Sequence, residues 1–93
     1  MRLDWSGVAL GDLTRVHDFL APVAPDAAVR TVQGLVSAAE GLLQNPGLWE
    51  RLDAYAPREV RAAMLLGGRY EMRYEVTPGT VTIVRIWSTR EDR

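Results

Sequence analysis

Cysteine is absent from the 93 residues, which removes disulfides, thiolate nucleophiles and cysteine-zinc sites at once. Histidine occurs once, as His17, so a histidine-built metal site within one chain is not expected, nor is any other cofactor. Lysine is also missing; every basic side chain is Arg. A genomic composition bias accounts for that, yet any grip on a carboxylate or phosphate must then come from a planar, permanently charged guanidinium. No apolar run approaches the ~20 residues of a membrane span, and no basic segment followed by an apolar stretch resembles an export signal. The sequence therefore reads as a cytoplasmic chain that begins near Met1. What is present, 47% apolar residues and 25% charged, fits one globular domain over residues 1–93. The net charge of −1 argues against strong nonspecific binding to nucleic acid. Its distribution is uneven: three arginines face six acids in residues 1–50, and eight face six thereafter.

The last 26 residues carry the clearest pattern. Tyr70, Met72, Tyr74 and Val76 alternate with Glu71, Arg73 and Glu75, giving an extended segment one apolar and one charged face. Pro78 and Gly79 supply a turn, and Val81 to Trp87 is β-branched or aromatic except at Thr82 and Arg85. This predicts an antiparallel hairpin. Upstream, Arg2-Leu3-Asp4-Trp5 alternates as a short strand. Ser6 stands where an N-cap belongs, before a helical stripe of Ala9, Leu13, Val16 and Leu20, with Asp12, Arg15 and Asp18 off that face. Pro22 and Pro25 end this helix and open a second, whose stripe is Ala28, Val32, Leu35, Ala39 and Leu42, continuing to about Gln44. Gly34 and Gly41 weaken it by ~1 kcal/mol each unless they permit a close approach. Leu48 to Pro57 reads as a connecting loop, and Glu59 to Leu66 as a strand closed by the Gly67-Gly68 turn. The expected fold is α+β, ordered β-α-α-β-β-β: an antiparallel sheet with an N-terminal helical hairpin on one face. Arg90 to Arg93 read as a tail, frayed or ordered by a partner.

In that order, Leu3-Asp4-Trp5-Ser6 with Ala9 and Asp12-Leu13, then Asn45-Pro46-Gly47-Leu48, Glu59-Val60-Arg61, Gly68 to Val76 and Val81 to Arg93 resemble the ParE/RelE superfamily of bacterial type II toxins, most closely its ParE-like, plasmid-stabilisation branch. The resemblance covers nearly the whole chain. It implies a cognate antitoxin, whose C-terminal helix or strand lays apolar residues along the toxin. It also implies one of two chemistries. RelE-like members cut messenger RNA on the ribosome, whereas ParE-like members poison DNA gyrase by binding it.

Metal-free RNA cleavage needs a group to activate the 2′-OH, cations for the phosphorane and an acid for the leaving oxygen. Where cleaving relatives carry Arg near the start of the third strand this chain has Glu71, which would repel the scissile phosphate. Where several carry His near the end of the last strand it has Ser88, and a C-terminal catalytic tyrosine is absent. Only Arg90 matches a functional cation of the cleaving relatives. We therefore expect no catalytic residue and take Arg61, Arg73, Arg85, Trp87 and Arg90 as partner contacts, their guanidinium groups free of neutralisation within the chain. Tyr70, Met72 and Tyr74 read as core, and His17 as a surface histidine. Arg85, inside an apolar strand, needs a partner, for which Glu71 or Glu75 across the hairpin is the internal choice. No chemistry is assigned to Asp12. The expected function is a gyrase-binding toxin; the alternatives are a RelE-like ribonuclease with an altered site and a non-toxic partner-binding scaffold.

Overall fold

The computed structural model describes residues 1–90, so Glu91, Asp92 and Arg93 of the expected tail lie outside the described residues. Strand β1 (Arg2–Trp5) leads into helix α1 (Gly7–Leu20), and helix α2 (Pro25–Gly41) returns along it. A two-residue strand β2 (Glu50–Arg51), a 3-10 turn at Asp53–Tyr55, and strands β3 (Glu59–Leu65), β4 (Tyr70–Thr77) and β5 (Thr80–Ser88) follow. The sheet order is β1-β5-β4-β3-β2. No helix among the described residues is long and apolar enough to cross a membrane.

The α+β class, the helical hairpin and the terminal β hairpin are as the sequence implies. Two details are corrected. The sheet is mixed, because β1 pairs with β5 in parallel, Leu3 beside Val81 and Trp5 beside Ile83. The helical hairpin carries the chain from β1 at one edge to β2 at the other, and the three antiparallel steps from β2 through β3 and β4 bring β5 back beside β1 in the same direction. The Leu48–Pro57 segment also holds β2 and the 3-10 turn, too short to leave a periodic trace.

Local chemistry fixes the elements. The Ser6 hydroxyl accepts the Ala9 N–H at 3.0 Å as the α1 cap, and donates to the Val84 carbonyl at 3.0 Å. Pro25 opens α2 with Asp26 in its first turn. Pro78-Gly79, with Gly79 at φ 78°, closes the β4–β5 hairpin as a type II turn requires. Gly34 earns its place in α2, since a Cβ there would lie 3.3 Å from Leu66 Cδ2.

Ala9, Val16, Leu35, Ala39 and Leu42 from the helices pack onto Ala63, Met72, Tyr74, Val81, Ile83 and Ile86. Tyr74 is fully buried, and its hydroxyl donates to the Pro46 carbonyl at 2.7 Å. That burial raises its pKa. The core residues of β5 are 81, 83 and then 86 because of a bulge: Tyr74 pairs with Ile83 and Arg73 with Arg85, leaving Val84 as the extra residue. The bulge resets the strand's phase, so Val84 and Arg85 both point away from the core.

Candidate functional site

Beyond Ile83 strand β5 has no neighbour on its β1 side, since β1 ends at Trp5. Helix α1 covers that edge with side chains. Asp12 Oδ2 accepts the Ile86 N–H at 2.8 Å, and Arg15 Nη2 donates to the Ile86 carbonyl at 3.1 Å. Asp12 is only 5% exposed. Its carboxylate also receives Arg85 Nε at 3.0 Å, Arg85 Nη2 at 3.4 Å and Arg15 Nη2 at 3.4 Å. The partner of Arg85 is therefore Asp12, rather than Glu71 or Glu75. Asp12, which sequence spacing placed off the buried face, is the carboxylate that closes the bulge. A carboxylate held by two guanidiniums and a backbone donor satisfies the rule that buried charge is both paired and hydrogen-bonded.

The sheet face turned away from the helices carries an arginine–aromatic ladder. Arg73 lies 4.5 Å from the Trp87 ring centroid and 5.9 Å from that of Tyr55, and its Nη1 donates to the Tyr55 hydroxyl at 3.0 Å. Arg85 lies 4.8 Å from Trp87. Each guanidinium has an acid. Arg73 Nε meets Glu71 Oε2 at 2.7 Å, and Arg58 holds Glu75 through contacts of 2.9 and 3.0 Å. Burial opposes the Arg73 charge, but the hydrogen bonds to Glu71 and Tyr55 outweigh it and raise its pKa. The hydrogen bond from Arg58 lowers the pKa of Glu75. Glu71 is buried.

Arg61 is elsewhere. It pairs with Tyr74 across β3–β4, on the helix side, where it bonds Glu59 at 2.7 Å and the Trp49 carbonyl at 2.7 Å. The five expected contact residues thus divide among three places. Arg61 ties down the 45–49 loop, while Arg73, Arg85 and Trp87 share the outer face. Arg90 stands beside a groove on the helix side. The expectation that these arginines are free of neutralisation fails for Arg61, Arg73 and Arg85. Of the four expected contact arginines, only Arg90 is exposed with no ion pair among the described residues.

That groove, of about 600 Å³, is lined by Arg15, Val16, Phe19, Leu20, Arg69, Tyr70, Ser88 and Arg90. On its apolar wall Phe19 is 82% exposed. Arg69, like Arg90, is exposed on its margin without an ion pair among the described residues. Sequence reasoning missed this site. Phe19 stands near the end of α1 as an apolar residue outside that helix's core stripe, and this excess was the available signal. His17 is half-exposed and contacts the Asp18 carboxylate at 3.1 Å.

The chain is thus a small mixed sheet under one helical hairpin, with an arginine–aromatic outer face and an apolar groove rimmed by Arg69 and Arg90. Residues 3–93 match the family model described as ParE toxin of type II toxin-antitoxin system, parDE, and the chain belongs to that family. It is 37% identical over 82 residues to toxin RelE2 of Caulobacter vibrioides, covering 88% of each chain. Toxin RelE3 of the same organism is 35% identical over 82 residues, covering 88% of this chain and 87% of that protein. Among solved structures, the chromosomal ParDE TA system from P. aeruginosa superposes with a TM-score of 0.79 at 25% identity, covering 95% of both chains. The protein is a type II toxin of the ParE/RelE family, and its membership supports a cognate antitoxin as partner.

Proposed function

We propose that this toxin acts by binding and inhibiting DNA gyrase through the outer face of the sheet, and that it breaks no bond itself. The observation that carries this reading is the internal pairing of Arg73 with Glu71 and of Arg85 with Asp12. A ribonuclease site needs cations available to a phosphorane and an acid–base pair beside them. On this face the cations are occupied, and the nearest carboxylate would repel substrate. Trp87, with Tyr55 and the stacked guanidiniums, instead resembles the aromatic and arginine anchors that dominate protein–protein interfaces. The antitoxin's place in this reading is the groove. An amphipathic segment would set apolar side chains against Val16, Phe19 and Leu20 and carboxylates against Arg69 and Arg90.

The second reading, ribosome-dependent messenger RNA cleavage, is favoured by the names of the two Caulobacter relatives. A DNA supercoiling assay with purified gyrase, run beside a ribosome-dependent cleavage assay, separates the two. Loss of supercoiling with intact RNA is the expected outcome; cut RNA with normal supercoiling would overturn the proposal.

A further inference from the structure

We propose that Asp12 and Glu71 are specificity determinants, built-in counterions that hold Arg85 and Arg73 and keep nucleic-acid phosphate off the outer face. The inference rests on the reading that this face meets a protein. Arg73 and Arg85 are direct cross-strand partners, a register that brings side chains to about 4.5–5.5 Å at Cβ, where like charges destabilise. Stripped of the two acids, the face would be a pair of guanidiniums stacked on Trp87 and Tyr55. Aromatic rings with interleaved cations are the equipment by which sheets bind single-stranded nucleic acid, bases stacking and phosphates meeting cations.

The acids prevent this because the fold fixes them in place. Asp12 is 5% exposed and Glu71 9%, so neither is a mobile surface group that an incoming phosphate could push aside. Asp12 is anchored independently of Arg85, through the Ile86 N–H at 2.8 Å. A neutral Asn would still accept from that backbone donor, though more weakly; the negative charge matters most to the guanidinium. Arg58, the third cation here, has Glu75. A phosphate approaching the ladder would have to displace a carboxylate already bonded and largely desolvated.

The test removes charge and keeps shape. Asp12→Asn retains an acceptor for Ile86, and Glu71→Gln retains an amide oxygen for Arg73. Binding of a short fluorescein-labelled oligouridine is read by fluorescence anisotropy, with circular dichroism melts to verify folding. The double variant is expected to bind at low salt. Its affinity should fall about sevenfold between about 50 and about 200 mM salt, as two phosphate contacts on a single strand require. Adding Arg73→Gln and Arg85→Gln should return binding to the wild-type level. An Asp26→Asn, Glu40→Gln chain, with the same charge change placed on exposed positions of α2, should stay there too. Should the double variant unfold, Glu71→Gln alone carries the test, with a loss of about 2.6-fold over the same salt range. A folded variant that binds RNA no better than the α2 control would overturn the inference, as would wild-type protein that already binds as tightly. Neither result depends on the supercoiling assay, so failure of the gyrase reading is seen separately.

Discussion

The last strand and the residues just after it hold arginines in two opposite circumstances. Arg85, beside the bulge, is gripped by Asp12 and stacked on Trp87, whereas Arg90, just past the strand's end, projects beside an apolar groove with no ion pair among the described residues. The same contrast separates the two faces of the molecule. The outer face presents aromatic surface whose arginines are paired with acids; the groove presents apolar surface beside Arg69 and Arg90, which have no ion pair among the described residues. An arginine count therefore does not measure a surface's appetite for anions. The carboxylates that the fold brings alongside decide it.

The comparison predicts that mutations near Arg85 damage the fold while those near Arg90 damage recognition. The largest effect on stability belongs to Asp12→Ala. It strands Arg85 and leaves the Ile86 N–H unsatisfied, at a cost of about 3 kcal/mol in urea unfolding, against about 1 kcal/mol for Asp12→Asn. A value near zero for Asp12→Ala would mean that the bulge is held by packing alone. In the groove, Phe19→Asp combined with Arg90→Glu should weaken antitoxin binding by about 30-fold or more, roughly 2 kcal/mol. The unfolding midpoint should barely move, because surface changes away from such networks stay within about 0.5 kcal/mol. Equal losses of stability and affinity would erase the distinction between the two regions.

Tyr74→Phe gives an intermediate case on the helix side. It removes only the hydroxyl that bonds the Pro46 carbonyl and should cost about 1 kcal/mol, measured by the same unfolding curves. The smallest effect concerns pH. The hydrogen bond from Arg58 lowers the pKa of Glu75 in the folded chain, so the stability this pair contributes is fully present above the ordinary carboxylate range. It is lost as pH falls through the depressed folded value. Glu75→Gln should flatten the acid limb of a stability–pH profile slightly, the pair being partly exposed. An unchanged limb would show that the pair is equally formed in the unfolded chain.

Much of the architecture was legible because it rests on period. Tyr70, Met72 and Tyr74 alternate as a half-buried strand does, and Ser6, Pro25 and Gly79 each announce a boundary through local chemistry. The site was less legible for a definite reason. A bulge at Val84 shifts the phase of β5, but Ile83, Val84 and Ile86 are all apolar and β-branched, so side-chain type does not reveal which of them is the extra residue. With the bulge unseen, the open edge at Ile86 was unseen, and Asp12 had no visible reason to be buried. The division of Arg61 from Arg73 by sheet face follows from register with Tyr74 and Arg85, information that only strand pairing contains.

The affinity of Trp87→Ala for gyrase, measured by surface plasmon resonance beside its affinity for the antitoxin, tests the division of labour most directly. The account predicts a loss of about 30-fold toward gyrase, some 2 kcal/mol, with antitoxin binding unchanged. Undiminished gyrase binding, or an equal loss toward both partners, would contradict it.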